Sequence, residues 1–374
     1  MSLLETHQLK SALDRLCLVV PKKGTLPVLE NLRWRIVKGH LELTATDLDN
    51  SLHISLPFAA PATTKSADVL VSAKELYQAV KTESAPNLAV RIHDGKFEVR
   101  ANNRTLVLPA SEPKSFPASP DGELNFRGQI LASALAAALA KTLFCVSAEA
   151  TRYKTDVVKL EMRGSAFRVV GTDGHRLSVA EGAANTGNDA GAFSTLLLRS
   201  TASILSKLEP NGESGWVELS TSGTEQEFNF FVLPDGSHLI ARRGQGQFPN
   251  YEAVIPKAPL EARVVFQRGE LLEGLTKLSA TARKAPSEAV KLELSKSPAC
   301  MRAENNGTAN RVTLEHTLIS GKPRDIGVNH QYLTQYVKSL ETDTVSMKLF
   351  PTSISEVLVF DSFRYQHLLM PLRD

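Results

Sequence analysis

Thr172-Asp173-Gly174-His175-Arg176 is the one stretch whose residue types and spacing suggest chemistry. A carboxylate and an imidazole two positions apart, beside a guanidinium, would suit proton transfer or phosphoryl transfer. The supporting cast for an enzyme is missing, because the chain has no G-x-S-x-G, no Walker-type glycine loop and no His/Asp cluster at metal-ligand spacing. The stretch also has two weaker copies, and neither keeps the histidine: Asp47-Leu48-Asp49 and Asn305-Asn306-Gly307 stand in its place. A polar turn that shapes a surface pocket therefore fits better than a catalytic centre built on Asp173, His175 and Arg176. No metal and no cofactor are expected.

The elements around the turn repeat with it. Phe167–Glu181 reads as strand, polar turn and strand; Leu41–Leu56 repeats that plan upstream, and Met301–Glu315 repeats it downstream in a more degenerate form. A spacing of about 130 residues is too long for a solenoid unit and matches a small domain. Each repeat is expected to open with an amphipathic helix, carried by Leu9, Leu13, Leu16 and Val20, by Leu131, Leu135, Leu139 and Leu143, and by Leu271, Leu275, Leu278 and Ala282. Period-two strands follow, such as Leu32, Trp34 and Ile36 before the Lys38-Gly39 turn, and Val158, Leu160 and Met162 before Arg163-Gly164. Val290, Leu292 and Leu294 lead through Ser297-Pro298 in the third. Second helices begin near Ser72, Arg199 and Asn329, and hairpins follow each, so every domain is itself an approximate duplication. Phe116-Pro117 and Phe248-Pro249 mark the junctions, which places the domains at 1–121, 122–253 and 254–374.

Composition bounds the function classes. With 42% hydrophobic and 22% charged residues the chain is ordinary globular protein rather than disordered. It shows no secretory leader and no apolar run of membrane-spanning length, which reads as cytosolic. Cys17, Cys145 and Cys300 stand singly in apolar surroundings and read as buried thiols, without zinc or disulfides. A net charge of +3 diagnoses nothing alone, but five of the six helical segments are net positive while strands and loops together are net negative. Each helix taken singly reads as a solvated face. Together they suggest one positive surface facing a polyanion, held by phosphate contacts that do not read bases.

At several of these residues the chain resembles the bacterial DNA polymerase III β subunit family, the sliding clamps. The resemblance runs the full length: Leu26-Pro-Val-Leu-Glu-Asn-Leu32, Ala45-Thr-Asp-Leu48, Gly171-Thr-Asp-Gly-His-Arg-Leu177, Phe248-Pro-Asn-Tyr251 with Ile255-Pro256, Val328-Asn329 with Tyr332-Leu333, and Met370-Pro-Leu-Arg373. It implies an α+β fold of three tandem DNA-clamp domains, each with two helices packed on two antiparallel sheets, forming half of a closed homodimeric ring. Such a ring encircles duplex DNA without sequence preference, and is not an enzyme. Its partners would be a replicative DNA polymerase, the clamp loader and other proteins carrying a clamp-binding peptide, with no membrane involved.

The resemblance also implies sites. A peptide groove between domains 2 and 3 would use Thr172, Gly174, His175, Arg176, Leu177, Pro249, Val254, Asn329, Tyr332, Ile354, Leu368, Leu369, Met370, Pro371, Leu372 and Arg373. DNA contacts would come from Lys23, Lys74, Arg152, Tyr153 and Arg199, and the dimer seam from Leu106 and Leu108 against Leu278, Thr281 and Ala282. The chain departs from the family pattern at Thr155, Ser287 and Ala253 in the groove, at Leu198-Arg199-Ser200, and at Thr281-Ala282 in the seam. One large buried side chain is worth roughly 1.5–3 kcal/mol, so partner affinity or ring lifetime would shift tenfold or more. The departures fit either a divergent main clamp or a specialised second copy.

Overall fold

Three times over, a strand runs straight into a helix, antiparallel strands follow, and the pattern starts again. The first unit comprises β1 (Ser2–Glu5), α1 (Thr6–Leu16), β2 (Asn31–Val37), β3 (His40–Thr46), β4 (Asn50–Pro57), β5 (Ala67–Ser72), α2 (Ala73–Lys81), β6 (Asn87–His93), β7 (Lys96–Ala101) and β8 (Arg104–Pro109). The second comprises β9 (Leu124–Leu131), α3 (Ala132–Leu143), β10 (Val157–Arg163), β11 (Ala166–Thr172), β12 (Arg176–Asn185), β13 (Phe193–Leu198), α4 (Arg199–Leu205), β14 (Trp216–Ser222), β15 (Phe228–Val232) and β16 (His238–Arg242). The third runs β17 (Ala262–Gln267), α5 (Arg268–Ala282), β18 (Ala289–Glu293), β19 (Ala299–Asn305), β20 (Thr308–Leu314), β21 (Thr317–Gly321), β22 (Ile326–Asn329), α6 (His330–Ser339), β23 (Thr344–Phe350), β24 (Val357–Ser362) and β25 (Tyr365–Leu369). This computed structural model describes residues 2–22, 26–37, 39–58, 66–102, 104–120, 122–147, 155–186, 192–208, 215–222, 227–284, 288–350, 357–362 and 365–372.

The expected helix-first order is corrected by β1, β9 and β17. Each leads into its helix without a loop, so the helical period of the leucines hides it. α1 also stops at Leu16, short of Val20, because Pro21 disfavours helical geometry in the residue before it. The leucine stripes themselves face inward: Leu9, Leu13, Leu16, Leu139, Leu271, Leu275 and Leu278 are all fully buried. They join Trp34, packed edge-on to Phe97 at 4.7 Å, and the inward faces of the strands in one continuous core.

Successive domains are joined by strand pairing. β4 of the first pairs antiparallel with β16, the last strand of the second, in the register Asn50↔Ala241 to His53↔His238. β12 of the second pairs in the same way with β25, the last strand of the third, from Arg176↔Leu369 to Ala180↔Tyr365. Side chains then reinforce both joints. At the first, Asn50 donates to Ser200 Oγ at 3.2 Å and accepts from Thr201 Oγ1 at 2.7 Å, both on α4, while the buried Arg15 of α1 pairs with Asp235 at 2.5 Å. At the second, Lys141 of α3 donates to Ser339 O at 3.3 Å and its carbonyl accepts from Tyr365 Oη at 2.8 Å.

The cross-strand pair at the first joint is His53 and His238, stacked with ring centroids 4.7 Å apart and planes 11° from parallel. Thr44 Oγ1 lies 3.1 Å from His53 Nδ1 and Ser119 Oγ 2.9 Å from its Nε2. Burial, then His238 and then Arg33, push His53 down from 6.5 to about 4, and burial lowers His238 as well. A folded-state value below the unfolded one means that the unfolded chain takes up the proton first, so stability falls as pH drops from about 6.5 towards 4. We expect acid to cost this joint on the order of 2 kcal/mol, and His53→Gln to flatten the pH dependence of urea unfolding between pH 7 and 5. Unchanged pH dependence in that variant would show that the stacked pair does not set it. Leu139→Ala should separately lower the stability of the second domain by about 2–5 kcal/mol, read in the same urea titrations.

Candidate functional site

The Thr172–Arg176 turn connects β11 to β12 and stands where β12 meets β25. Its conformation is fixed by its own side chains. Thr172 Oγ1 donates to Arg176 O at 2.7 Å and accepts from Gly174 N at 3.1 Å. Asp173 Oδ1 accepts from the amides of His175 and Arg176 at 3.0 and 3.1 Å. Gly174 takes φ +89°, a left-handed conformation that glycine adopts without steric cost. The first domain builds the same turn from different residues: Thr46 Oγ1 donates to Asn50 O at 2.9 Å, Asp47 Oδ1 accepts from the amides of Asp49 and Asn50, and Leu48 takes φ +80°. In the third domain a two-residue turn with Asn306 and Gly307 at positive φ replaces it.

The carboxylate and guanidinium that looked catalytic are structural here. Arg176, only 7% exposed, donates to Asp173 Oδ2 at 2.9 Å, to Gln335 Oε1 of α6 at 2.6 Å and to Phe144 O at 2.5 Å. Its guanidinium also lies 4.2 Å from the centroid of the Tyr332 ring. It thereby ties the turn to the second helix of the next domain, the part that Asn50 plays towards α4. His175 is exposed, its ring 6.4 Å from that of Tyr332, and its carbonyl accepts from Met370 N at 3.0 Å. Asn329 caps α6 by accepting from Tyr332 N at 3.0 Å.

Beneath the turn lies a buried polar cluster that the sequence reading missed. Ser178 Oγ lies 2.8 Å from His367 Nδ1, 3.0 Å from Tyr365 Oη and 3.1 Å from Cys145 Sγ. The His367 ring stacks on Tyr336 at 4.4 Å. Burial holds His367 well below its usual range and pushes the Cys145 thiol up to about 12, so both stay neutral. Neutral and enclosed, the cluster pins β25 to β12. The signal available beforehand was Ser178, a hydroxyl within an otherwise apolar strand segment.

Above the sheet, a second and smaller apolar cluster joins Val157, Val170, Leu177, Val179, Leu196, Phe248, Tyr251 and Leu368, with Ile255 at its margin. The 248–255 segment covers part of the sheet here, held by Tyr251 Oη donating to Glu161 at 2.5 Å. Val254 is 54% exposed and Met370 38%, with Pro249, Pro371 and Leu372 half-buried around them. The result is an apolar floor of Leu177 and Leu368 with exposed apolar rims, bordered by the Thr172–Arg176 turn and Tyr332. At the sibling position between the first two domains, polar Thr44, Ser51 and His53 occupy the corresponding strand positions, and Ser119 closes over His53. Only the second joint offers an apolar surface of this kind among the described residues.

Several expected site residues are placed differently. Leu369 is fully buried in the main core, because alternation along β25 turns it away from Leu368. Leu278 and Ala282 are likewise fully buried within their own domain and cannot face a partner, whereas Thr281 is half-buried on the same helix. Leu108 is 5% exposed, Leu106 half-buried, and their neighbour Val107 is 50% exposed. Thr155 is buried, its carbonyl accepting from Ser147 N at 2.9 Å and its hydroxyl 3.0 Å from that of Ser147. Ala253 is exposed beside Val254. Lys74 and Arg199 lie exposed at the N-terminal ends of α2 and α4. Lys23, Arg152, Tyr153, Ser287, Ile354 and Arg373 lie outside the described residues. No helix of the described residues is long and apolar enough to cross a membrane.

Comparison with known proteins places this architecture. Models of the DNA polymerase III beta subunit match in series, its N-terminal domain over residues 2–120, its central domain over 129–250 and its C-terminal domain over 252–373. The beta sliding clamp of Pseudomonas aeruginosa is 27% identical over 371 residues, spanning 95% of both chains, and that of Caulobacter vibrioides is 27% identical over 380 residues, spanning 99% of both. The crystal structure of a DnaN sliding clamp from Pseudomonas aeruginosa superposes over the whole of both chains with a TM-score of 0.87 at 22% identity. The DNA polymerase III beta subunit from Thermotoga maritima also gives 0.87, at 20% identity. The three serial matches, the full-length relatives and the shared fold agree with the repeat read from the residues, and the chain belongs to the DNA polymerase III beta subunit family, the bacterial sliding clamps.

Proposed function

We propose that two copies of this chain close into a ring around duplex DNA and act as a non-catalytic processivity clamp in the cytoplasm. The observation that carries this is the repeated handover of strands. β4 pairs with the last strand of the second domain, and β12 with the last strand of the third. By the same rule β20 takes the last strand of a first domain, β8, and only a second copy can supply it. Both strands are edges in the single chain: β8 ends the sheet β1-β6-β7-β8, and β20 begins the sheet β20-β19-β18-β22. Unpaired edges of this kind invite pairing, and an isologous two-fold arrangement satisfies both at once.

The register follows from the repeat. Leu177↔Leu368 at the second joint corresponds to Ala309 opposite Val107, which accounts for the 50% exposure of Val107 in the single chain. Beside this seam the exposed face of α5, with Glu273, Thr276, Lys277 and Ala280, replaces the buried Leu278 and Ala282 as the helix that meets the partner. The helices supply a cationic lining with Lys74 and Arg199, and Lys23, Arg152 and Tyr153 are added as DNA contacts by the resemblance. The domain boundaries fall near 121 and 253. The apolar floor and rim between domains 2 and 3 take the short peptide of a replicative polymerase, a clamp loader or another clamp-binding protein, with Val254, Leu177 and Leu368 receiving its apolar side chains.

Three measurements test this. The solution mass should be that of a dimer at micromolar concentration, and a monomer would count against a stable ring. Val107→Cys combined with Ala309→Cys should give a covalently linked dimer under mild oxidation, because directly opposed residues of antiparallel strands bring their Cβ atoms to about 4.5–5.5 Å. Failure to link, in a protein that is dimeric, would refute this register. Val254→Glu should weaken partner-peptide binding about tenfold by fluorescence anisotropy and abolish stimulated synthesis on primed circular DNA, while leaving the dimer intact.

A further inference from the structure

On the other flank of the 248–255 segment, away from Leu177 and Leu368, the sheet carries a cavity of about 300 Å³. It is lined among others by Lys159 of β10, Ser194 and Thr195 of β13, and Arg243, Gln247 and Phe248 of the segment that crosses them. Its character differs from the groove. Lys159 lies 5.9 Å from the centre of the Phe248 ring and is paired with Glu161 at 2.7 Å. Glu161 in turn accepts from Tyr251 Oη, so its charge is shared between two donors. Arg243 makes no ion pair with any carboxylate of the described residues, although its backbone amide donates to Glu227 O at 2.7 Å and so fixes its position. Thr195 is committed inward, its hydroxyl donating to Asn229 Oδ1 at 2.8 Å. What remains open to a ligand is the Arg243 guanidinium, the Ser194 hydroxyl and the Gln247 amide, over a Phe248 wall.

We propose that this cavity is an anion-accepting annex to the groove, and that it holds an acidic side chain next to the apolar part of a bound clamp-binding peptide. The proposal rests on the groove reading above and adds the charge of the partner segment to it. Two observations favour a peptide carboxylate as the occupant. The Arg243 guanidinium, without an ion-pair partner among the described residues, complements one negative charge in the forked geometry that carboxylates match. The cavity also adjoins the groove floor through packed side chains, since Leu196 and Phe248 line it and belong to the same apolar cluster as Leu177 and Leu368. From β13 to β25 the sheet crosses β10, β11 and β12, about 4.8 Å per strand, a span that roughly five or six extended residues bridge.

The test is fluorescence anisotropy on the full-length protein with two labelled decapeptides. Both carry the same leucine- and phenylalanine-containing core, one flanked by aspartates and the other by asparagines. We expect the aspartate peptide to bind about threefold to tenfold more tightly at low salt, and the advantage to fade at high ionic strength. Arg243→Gln should remove the advantage while leaving the asparagine peptide unaffected. Equal binding of both peptides by the unsubstituted protein, or an advantage that survives Arg243→Gln, would overturn the annex and leave the groove standing. Binding of neither peptide would overturn the groove reading, and the annex with it.

Discussion

Backbone hydrogen bonding across domain boundaries is the constraint on which the rest of the structure depends. β4 with β16 and β12 with β25 are ladders, and a ladder fixes distance, direction and register together, where side-chain docking of two finished domains would fix none of them uniquely. Once the register is set, the turn that precedes each strand lands against the second helix of the following domain. Asn50 then reaches α4, and Arg176 reaches α6. The two latches differ in chemistry because their settings differ. Asn50 exchanges neutral hydrogen bonds with two hydroxyls, whereas Arg176 brings a buried charge that only the Asp173 carboxylate, the Gln335 amide and a backbone carbonyl together make tolerable.

That difference explains why an apolar surface exists at one joint and not at the other. Between domains 1 and 2 the exposed side of the sheet is filled by Thr44, His53, Ser119 and His238, which satisfy one another. Between domains 2 and 3 Val170, Leu177 and Val179 stand on the sheet instead, half covered by Phe248 and Tyr251. The same backbone therefore serves once as a plain joint and once as a floor with room above it.

Much of this could be read from the residues. The threefold repeat, the inward leucine stripes, the hairpins and the turn chemistry follow from periodicities and from Thr and Asp at fixed offsets, which are local properties. What stayed hidden is set by tertiary pairing. β1 and β21 are too short to show a period of their own, and β9 and β17 run without a loop into helices whose leucine period masks theirs. Leu369 is apolar like its neighbours, and only the direction of its strand decides that it faces the core, whereas Leu278 and Ala282 follow the inward stripe of their helix against the seam role that the resemblance implied. Arg176 reads as a surface charge until the ring of Tyr332 and the carbonyl of Phe144 close around it. Ser178, His367 and Cys145 are far apart along the chain, and nothing local reveals that they meet.

The sealed cluster beneath the turn has a consequence for how the molecule weathers its surroundings. Only the thiolate reacts readily with peroxide or electrophiles. Burial holds Cys145 at about 12 and Cys17 at about 11, and Cys300 is enclosed as well. An oxidative burst that disables enzymes through ionised cysteines would find no readily formed thiolate at Cys145 or Cys17, so the tether would not be lost through these two thiols.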